Sequence, residues 1–372
     1  MRVASLFSGV GGLEASDPAE LLCEMDPDCQ VVLGRRFPDA RIVSDVRTLR
    51  PQRGLDSVFG GWPCQDISVA GLKRGLSGER SGLLFTMIDF ARASGAATIV
   101  AENVPNLLRL EDGQNFAWTL TALQRAGYEN IAWRTLNARS FGLPHERRRV
   151  FIVASEDEAT ARALLRDLGR RKVTVIDSPR ASGFYWTAGL QGINYSVGYS
   201  PTLKVGSSLS IPSPPAVIYD DIVRQISPKE ALRLQGFPQA PFAKVSPKAV
   251  FRMMGNAVAR PVGQFATASV SLDGYRVSGA LEVLYASTSL FPDEVTVMKW
   301  PTAGLRTREA TFRFHDPLDD APRANNLEEI LDIDDKSALS RRAAAGLLKR
   351  LETSQKFCPE DLRVRLKALA EE

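Results

Sequence analysis

Val3-Ala4-Ser5-Leu6-Phe7-Ser8-Gly9-Val10-Gly11-Gly12 sets an apolar, β-rich run directly against a glycine-rich turn. In open α/β sheets such a junction receives ligands, because glycine lets a ligand approach the backbone. Six further β-rich runs follow: Leu21–Met25, Ala40–Ser44, Asp56–Gly61, Thr98–Val104, Asn130–Leu136 and Arg148–Ala154. Between them, residues 81–94 and 114–126 repeat apolar positions every three or four residues, as helices covering a sheet do. Alternation of this kind predicts βαβ units and a doubly wound, mostly parallel α/β sheet. Glu24 and Asp45 end the second and third runs, where acids can hold ribose hydroxyls. The turn and these acids predict an adenosine-containing ligand, either NAD or S-adenosylmethionine; neither GxxxxGK nor a full GxGxxG is present.

The chain has 372 residues, enough for two domains or for one large domain with an appendage, with 44% hydrophobic and 24% charged residues. These values exclude disordered and fibrous classes. No apolar run reaches the roughly 20 residues that span a bilayer, and the N-terminus lacks a signal-peptide layout, so a cytoplasmic protein without membrane partners is expected. Cys23, Cys29, Cys64 and Cys358 are too scattered for a disulfide framework and form no CxxC zinc pair, so no metal is expected. A net charge of +4 is compatible with a polyanionic partner without requiring one.

Cys64 directly follows the run Asp56–Gly61 within Gly60-Gly61-Trp62-Pro63-Cys64-Gln65, and so falls at the carboxyl edge of the sheet. Buried inert cysteine is the common case. A loop at this edge is also where neighbouring cations can lower a thiol pKa and make a nucleophile. Glu102 closes the run Thr98–Ala101 and reaches the same edge, either as a functional acid or as a cap of the next turn. In His145-Glu146-Arg147-Arg148-Arg149, strand alternation sends Arg147 and Arg149 to one side and Arg148 to the other. Paired guanidinium groups there can clamp a phosphate or a base carbonyl, or form a solvated cluster.

From about Asp177 to Asp221 the composition turns to Gly, Ser, Pro, Tyr and Thr, predicting loops and short strands. Its interleaved Tyr, Trp and Phe favour a recognition segment over a plain linker. Ser227 and Ser246 are each followed by Pro, and Glu230 stands at a capping-box position, predicting two helix starts. Two more helices are predicted in the final stretch, separated near Cys358 and Pro359. Arg341, Arg342, Lys349 and Arg350 there read as a solvated face or as phosphate contacts.

FSGVGG, GGWPCQDIS, ENV, HERRR and GNAV occur in this order, and the set resembles the motifs of the DNA (cytosine-5)-methyltransferases over most of residues 1–270. The resemblance implies a Rossmann-like fold of the S-adenosylmethionine-dependent methyltransferases, with a small irregular β-rich recognition region and a helical C-terminal extension. It implies a Cys64 nucleophile, Glu102 as the acid engaging the cytosine ring, Arg149 as a further ring contact, and Arg147 supporting the loop and backbone. Phe7, Gly9, Gly11, Glu24, Met25, Asp45, Pro63, Leu84 and Asn256 fall at positions similar to cofactor contacts of the family. Gln65, Ser68 and Arg80 lie in what resembles its mobile loop, with Gly71, Gly75, Gly78 and Gly82 as hinges. Thr202-Leu203 resembles a Thr-Leu pair of its recognition region, which is short here and implies a short recognised sequence.

The implied organisation is a catalytic and cofactor domain over 1–154, a target-recognition region over 155–226, a return segment over 227–272 and an extension over 273–372. The implied reaction transfers a methyl group from S-adenosylmethionine to C5 of cytosine in double-stranded DNA, releasing S-adenosylhomocysteine. A monomer is expected, with a cognate restriction endonuclease as a candidate partner. The family usually has Gln where this chain has His145, and Glu14–Leu22, with Asp17-Pro18 inside it, is shorter than the helix that usually follows the glycine turn. A tRNA cytosine methyltransferase and a catalytically impaired DNA-binding regulator are the alternative readings.

Overall fold

The computed structural model describes residues 1–14, 19–63, 82–166, 180–185, 194–205, 215–220, 222–271, 282–285, 294–298, 308–311, 327–332, 338–354 and 358–371. The chain forms two compact units, the first from residues 1–137, 148–169 and 260–320, the second from 138–147, 170–259 and 321–372. The division cuts across the segments read from the sequence. Residues 260–320 go with the first unit, and the end of the chain goes with the second.

In the first unit all seven β-rich runs become strands: β1 (Val3–Leu6), β2 (Leu21–Cys23), β3 (Arg41–Val43), β4 (Ser57–Gly60), β5 (Thr98–Asn103), β6 (Asn130–Asn137) and β7 (Arg148–Ser155). They lie in the order β6-β7-β5-β4-β1-β2-β3. Strands β1 to β5 pair in parallel, with Leu6 opposite both Cys23 and Gly60, and Gly60 opposite Ala101. Of these seven strands, only β7 runs against the group, inserted antiparallel between β5 and β6. Every residue of β4 and β5 is buried, as expected of strands covered on both faces. Four parallel strands therefore lead into the glycine turn, Glu24, the Gly61–Pro63 loop and Glu102, all at one sheet edge. Because β7 is reversed, its first residues Arg148 and Arg149 start from that same edge.

Helix α1 (Pro27–Arg36) begins with the Asp26 carboxylate accepting the Asp28 N–H and with Pro27 in the first turn. Helices α2 (Gly82–Ser94) and α3 (Gln114–Arg125) bury Leu84, Met87, Ile88, Phe116, Leu120 and Leu123 in the core shared with β1, β4, β5 and β6. Phe116 meets Trp133 of β6 edge to face, with ring centroids 5.0 Å apart. After α4 (Glu158–Arg162), three strands from beyond residue 273 join the main sheet, a placement the sequence did not announce. They are β12 (Glu282–Tyr285), β13 (Glu294–Met298) and β14 (Arg308–Thr311), extending it beyond β6 in the order β12-β14-β13.

The second unit holds the antiparallel sheet β11-β10-β8-β9, built from β8 (Ala181–Tyr185), β9 (Asn194–Val197), β10 (Ala216–Tyr219) and β11 (Ile222–Gln225). Helix α5 (Pro228–Leu234) starts with the complete Ser227/Glu230 capping box, and Ser246 caps α6 (Pro247–Asn256). Helix α7 (Arg260–Ala268) belongs to the first unit. The two terminal helices form as expected, α8 (Arg341–Ser354) and α9 (Glu360–Glu371). Leu339, Leu347, Leu351, Leu362 and Leu366 pack with Phe184, Ala216, Ile218 and Val223 of the small sheet. The end of the chain is thus part of that sheet's core. Among the described residues no helix is long and apolar enough to cross a membrane.

Candidate active site

The glycine turn bends sharply after β1: φ is +58° at Phe7, +56° at Gly9 and +83° at Gly11. A left-handed conformation at a non-glycine residue is strained, and Phe7 is held in it by local bonds. The Ser8 N–H donates to the Cys23 carbonyl at 3.0 Å, and the Gly11 N–H to the Ser8 carbonyl at 2.9 Å. The Glu24 carboxylate accepts the Gly9 N–H at 2.7 Å and the Asp26 N–H at 2.8 Å, joining the end of β2 to the turn. Burial pushes the Glu24 carboxyl above its ordinary range, and these two N–H groups oppose that rise. A Cβ on Gly9 would meet no atom within 4 Å, so the turn presents an open face there.

Two supports of this turn were not legible in the sequence. Arg36, in the last turn of α1, donates to the carbonyls of Val10 and Gly11, the latter at 2.8 Å. Gly263 of α7 lies so close that a Cβ would enter the van der Waals shell of the Gly12 carbonyl oxygen. Gly263→Ala must push helix from turn, and is expected to destabilise the protein by about 1–3 kcal/mol, the usual cost of overpacking. A urea unfolding midpoint equal to that of the unsubstituted protein would contradict this close approach.

Asp45 follows β3 at the surface, where Arg47 holds its carboxylate at 2.9 and 3.0 Å and keeps it below the ordinary carboxylate range. Met25 is 72% exposed, Leu84 is buried in the core, and Phe7 packs against that core. Pro63 is exposed at the end of the β4 loop. Cys64, Gln65, Ser68 and Arg80, with the hinges Gly71, Gly75 and Gly78, lie outside the described residues, as do residues 15–18 of the shortened segment.

Glu102, on β5, is 8% exposed, and Arg149 of β7 meets its Oε1 through Nε at 3.1 Å. Burial pulls the Arg149 pKa down and the Glu102 charge opposes this. The adjoining Asn103 donates from Nδ2 to the Trp62 carbonyl at 3.0 Å, stapling the exit loop of β4 to β5. Within that loop, a Cβ on Gly61 would come 2.9 Å from Glu102 Oε2, so glycine gives the carboxylate its room. A buried acid paired with a guanidinium therefore stands against the loop that leads into Pro63 and Cys64. Such a group can bind and protonate a ring nitrogen.

Arg147, Thr202, Leu203 and Asn256 belong to the second unit. Arg147 is 2% exposed, and its guanidinium donates to the carbonyls of Leu203 at 3.1 Å, Gly255 at 3.0 Å and Ala257 at 2.6 Å. It ties two segments of backbone together through three carbonyls. Thr202 donates its hydroxyl to the Glu146 carbonyl, and Asn256 lies exposed at the end of α6.

A family model described as C-5 cytosine-specific DNA methylase matches residues 1–179 and 195–271. The chain belongs to this family. It is a DNA (cytosine-5)-methyltransferase, and the resemblance drawn from its ordered motifs holds. Type II methyltransferase M2.BsuMI of Bacillus subtilis (strain 168) is 37% identical to the methylase over 327 residues, 82% of this chain and 81% of the relative. Type II methyltransferase M.NlaX of Neisseria lactamica is 32% identical over 70% of this chain and 93% of its own length. The fold is also that of the S. pombe Dnmt2 methyltransferase crystal structure, with a TM-score of 0.53 at 16% identity over 73% of this chain and 98% of that one.

Proposed function

We propose that this methylase acts on a short double-stranded DNA sequence by extruding the target cytosine and forming a transient bond between Cys64 Sγ and ring C6. The observation that carries this reading is the Glu102–Arg149 pair, buried at the sheet edge against the Gly61–Pro63 loop. Cytosine C5 is a poor nucleophile. Addition of the Cys64 thiolate at C6 breaks ring conjugation and places electron density on C5, provided an acid steadies N3. Glu102 holds or donates that proton, and Arg149 fixes the carboxyl and lies in reach of the same ring. Once C5 carries the methyl group, loss of its proton expels the thiolate and restores the double bond. Turning the nucleotide out of the duplex costs a few kcal/mol, which contacts by the recognition unit and the loop holding Gln65, Ser68 and Arg80 offset.

The open face at Gly9 and the half-buried Glu24 carboxylate fit an adenosine-bearing ligand. We assign S-adenosylmethionine to the surface formed by Phe7, Gly9, Gly11, Glu24, Met25, Asp45 and Pro63, with Leu84 in the core on which Phe7 packs. When bound, it supplies an electrophilic methyl group. In this reading residues 155–226 carry target recognition through Thr202 and Leu203, and the return segment completes the catalytic domain with residues 260–272, which belong to the first unit. We place it beside a cognate restriction endonuclease, a reading supported by the Type II names of the relatives, and expect it to work as a cytoplasmic monomer.

The test is covalent trapping. A duplex with 5-fluorocytosine in the target cannot release its C5 substituent, so the full-length protein with S-adenosylmethionine should form a denaturation-stable adduct that Cys64→Ser eliminates. Bisulfite sequencing of DNA from a methylation-free host expressing the chain would supply the target sequence. An adduct that persists in Cys64→Ser would overturn the assignment.

A further inference from the structure

Residues 144–147 and 200–203 run side by side in the second unit. The Ser200 N–H donates to the Pro144 carbonyl and the Glu146 N–H to the Ser200 carbonyl, each at 2.8 Å, and His145 faces Ser200 in a parallel bridge. Leu203 is gripped at both backbone groups. Its carbonyl accepts from Arg147 at 3.1 Å, and its N–H donates to His145 Nε2 at 3.0 Å. His145 is fully buried, and a buried N–H left without an acceptor is costly. An imidazole accepts on Nε2 only when it is neutral with its proton on Nδ1; the imidazolium donates from both nitrogens. Arg147 can only donate, so it serves the carbonyl and cannot replace the acceptor.

We propose that His145 is a positioning residue for target recognition: as a neutral Nδ1–H imidazole it accepts the Leu203 N–H and fixes the Thr202–Leu203 segment for DNA. The proposal rests on the reading of that segment as DNA-facing. It also accounts for a histidine at this position. Glutamine, the usual residue of the family here, carries an acceptor oxygen on a side chain of similar reach, so both residues meet the requirement that an apolar side chain of equal volume fails. The role is distinct from catalysis, because His145 acts on substrate only through the backbone it holds.

Three full-length proteins separate positioning from plain packing. His145→Gln should keep the KM for DNA within about threefold, whereas His145→Leu should raise it by about tenfold, the worth of one buried hydrogen bond. In both, kcat and S-adenosylmethionine affinity stay near those of the unsubstituted methylase, and in His145→Leu the Leu203 amide exchanges its hydrogen about tenfold faster. Equal KM values for the Leu variant and the unsubstituted protein, or equal damage by Gln and Leu, would overturn the proposal.

A second measurement needs no variant. The chain has two histidines, His145 and His315, so nitrogen-15 spectra of the methylase near neutral pH resolve their tautomers. The expected result is one histidine with a bare Nε2 and a protonated Nδ1, coupled to the Leu203 amide. The reverse tautomer at His145 defeats the proposal whatever the variants do. Should the unsubstituted protein fail to methylate DNA, the functional reading falls, while tautomer and amide exchange still report on the anchor.

Discussion

Glu102→Gln lowers kcat by about 10²-fold or more, the usual worth of a positioned acid, and leaves DNA affinity within a few-fold of its original value. The asymmetry follows from where each energy arises. Affinity for a duplex comes mainly from phosphate and groove contacts spread over the surface. Glu102 sits at the end of β5, 8% exposed and engaged by Arg149. Glutamine fills the same space and can donate a hydrogen bond to ring N3, but it has no proton to give as electron density builds. The adduct with 5-fluorocytosine DNA should therefore form slowly in this variant. Equal losses in turnover and affinity would contradict the assigned role.

The substitution also removes the charge facing Arg149, whose pKa burial already lowers. Loss of a hydrogen bond to a charged group costs about 1.5–3 kcal/mol, less than the 5–15 kcal/mol (roughly) that holds a domain folded. Thermal unfolding checks this directly. A small drop in midpoint beside a large drop in kcat assigns the effect to chemistry.

Most of the seven core strands were legible because strands buried on both faces read as apolar runs, as in residues 99–101 of β5 and 150–154 of the antiparallel β7. Once their order along the chain was known, the edge carrying Glu24 and Glu102 followed, since the loops after parallel strands share one side. The reversal of β7 was not legible, and it brings Arg149 to Glu102. Arg36 reads in sequence as an ordinary cation closing a helix; only the return of α1 beneath the glycine turn makes its neighbours the Val10 and Gly11 carbonyls. Gly263 gives no local signal, because the atom excluding a side chain belongs to Gly12, 251 positions earlier along the sequence by difference of residue numbers. Amphipathic periodicity in α8 and α9 shows that a face is covered, yet the cover, Phe184 with Ile218 and Val223, is set by tertiary packing.

Glu230→Ala is expected to destabilise the second unit by about 3–5 kcal/mol, the cost of leaving a buried ion without its partner. Glu230 and Arg224 have side-chain exposures of 0% and 3%, and they pair through two bonds of 2.7 and 2.9 Å. The same carboxylate accepts the Ser227 N–H at 2.6 Å and the Asp332 N–H at 2.7 Å. One side chain thus closes the capping box of α5, neutralises the guanidinium of β11 and ties down the segment at Asp332. Alanine leaves the Arg224 guanidinium buried without its counter-charge and the two half-buried N–H groups without their acceptor, and the penalty falls on the unit as a whole because the Asp332 segment leads on to α8 and α9, which complete the apolar core of the small sheet. Hydrogen exchange should report faster opening of β8, β10 and β11 with little change in β1, β4 and β5. The paired substitution Arg224→Met with Glu230→Leu restores most of the loss, since an apolar pair removes the unmet charge. Stability within about 1 kcal/mol of the original in Glu230→Ala, the scale of losing a helix cap alone, would mean that the carboxylate only caps α5 and that Arg224 finds its compensation elsewhere.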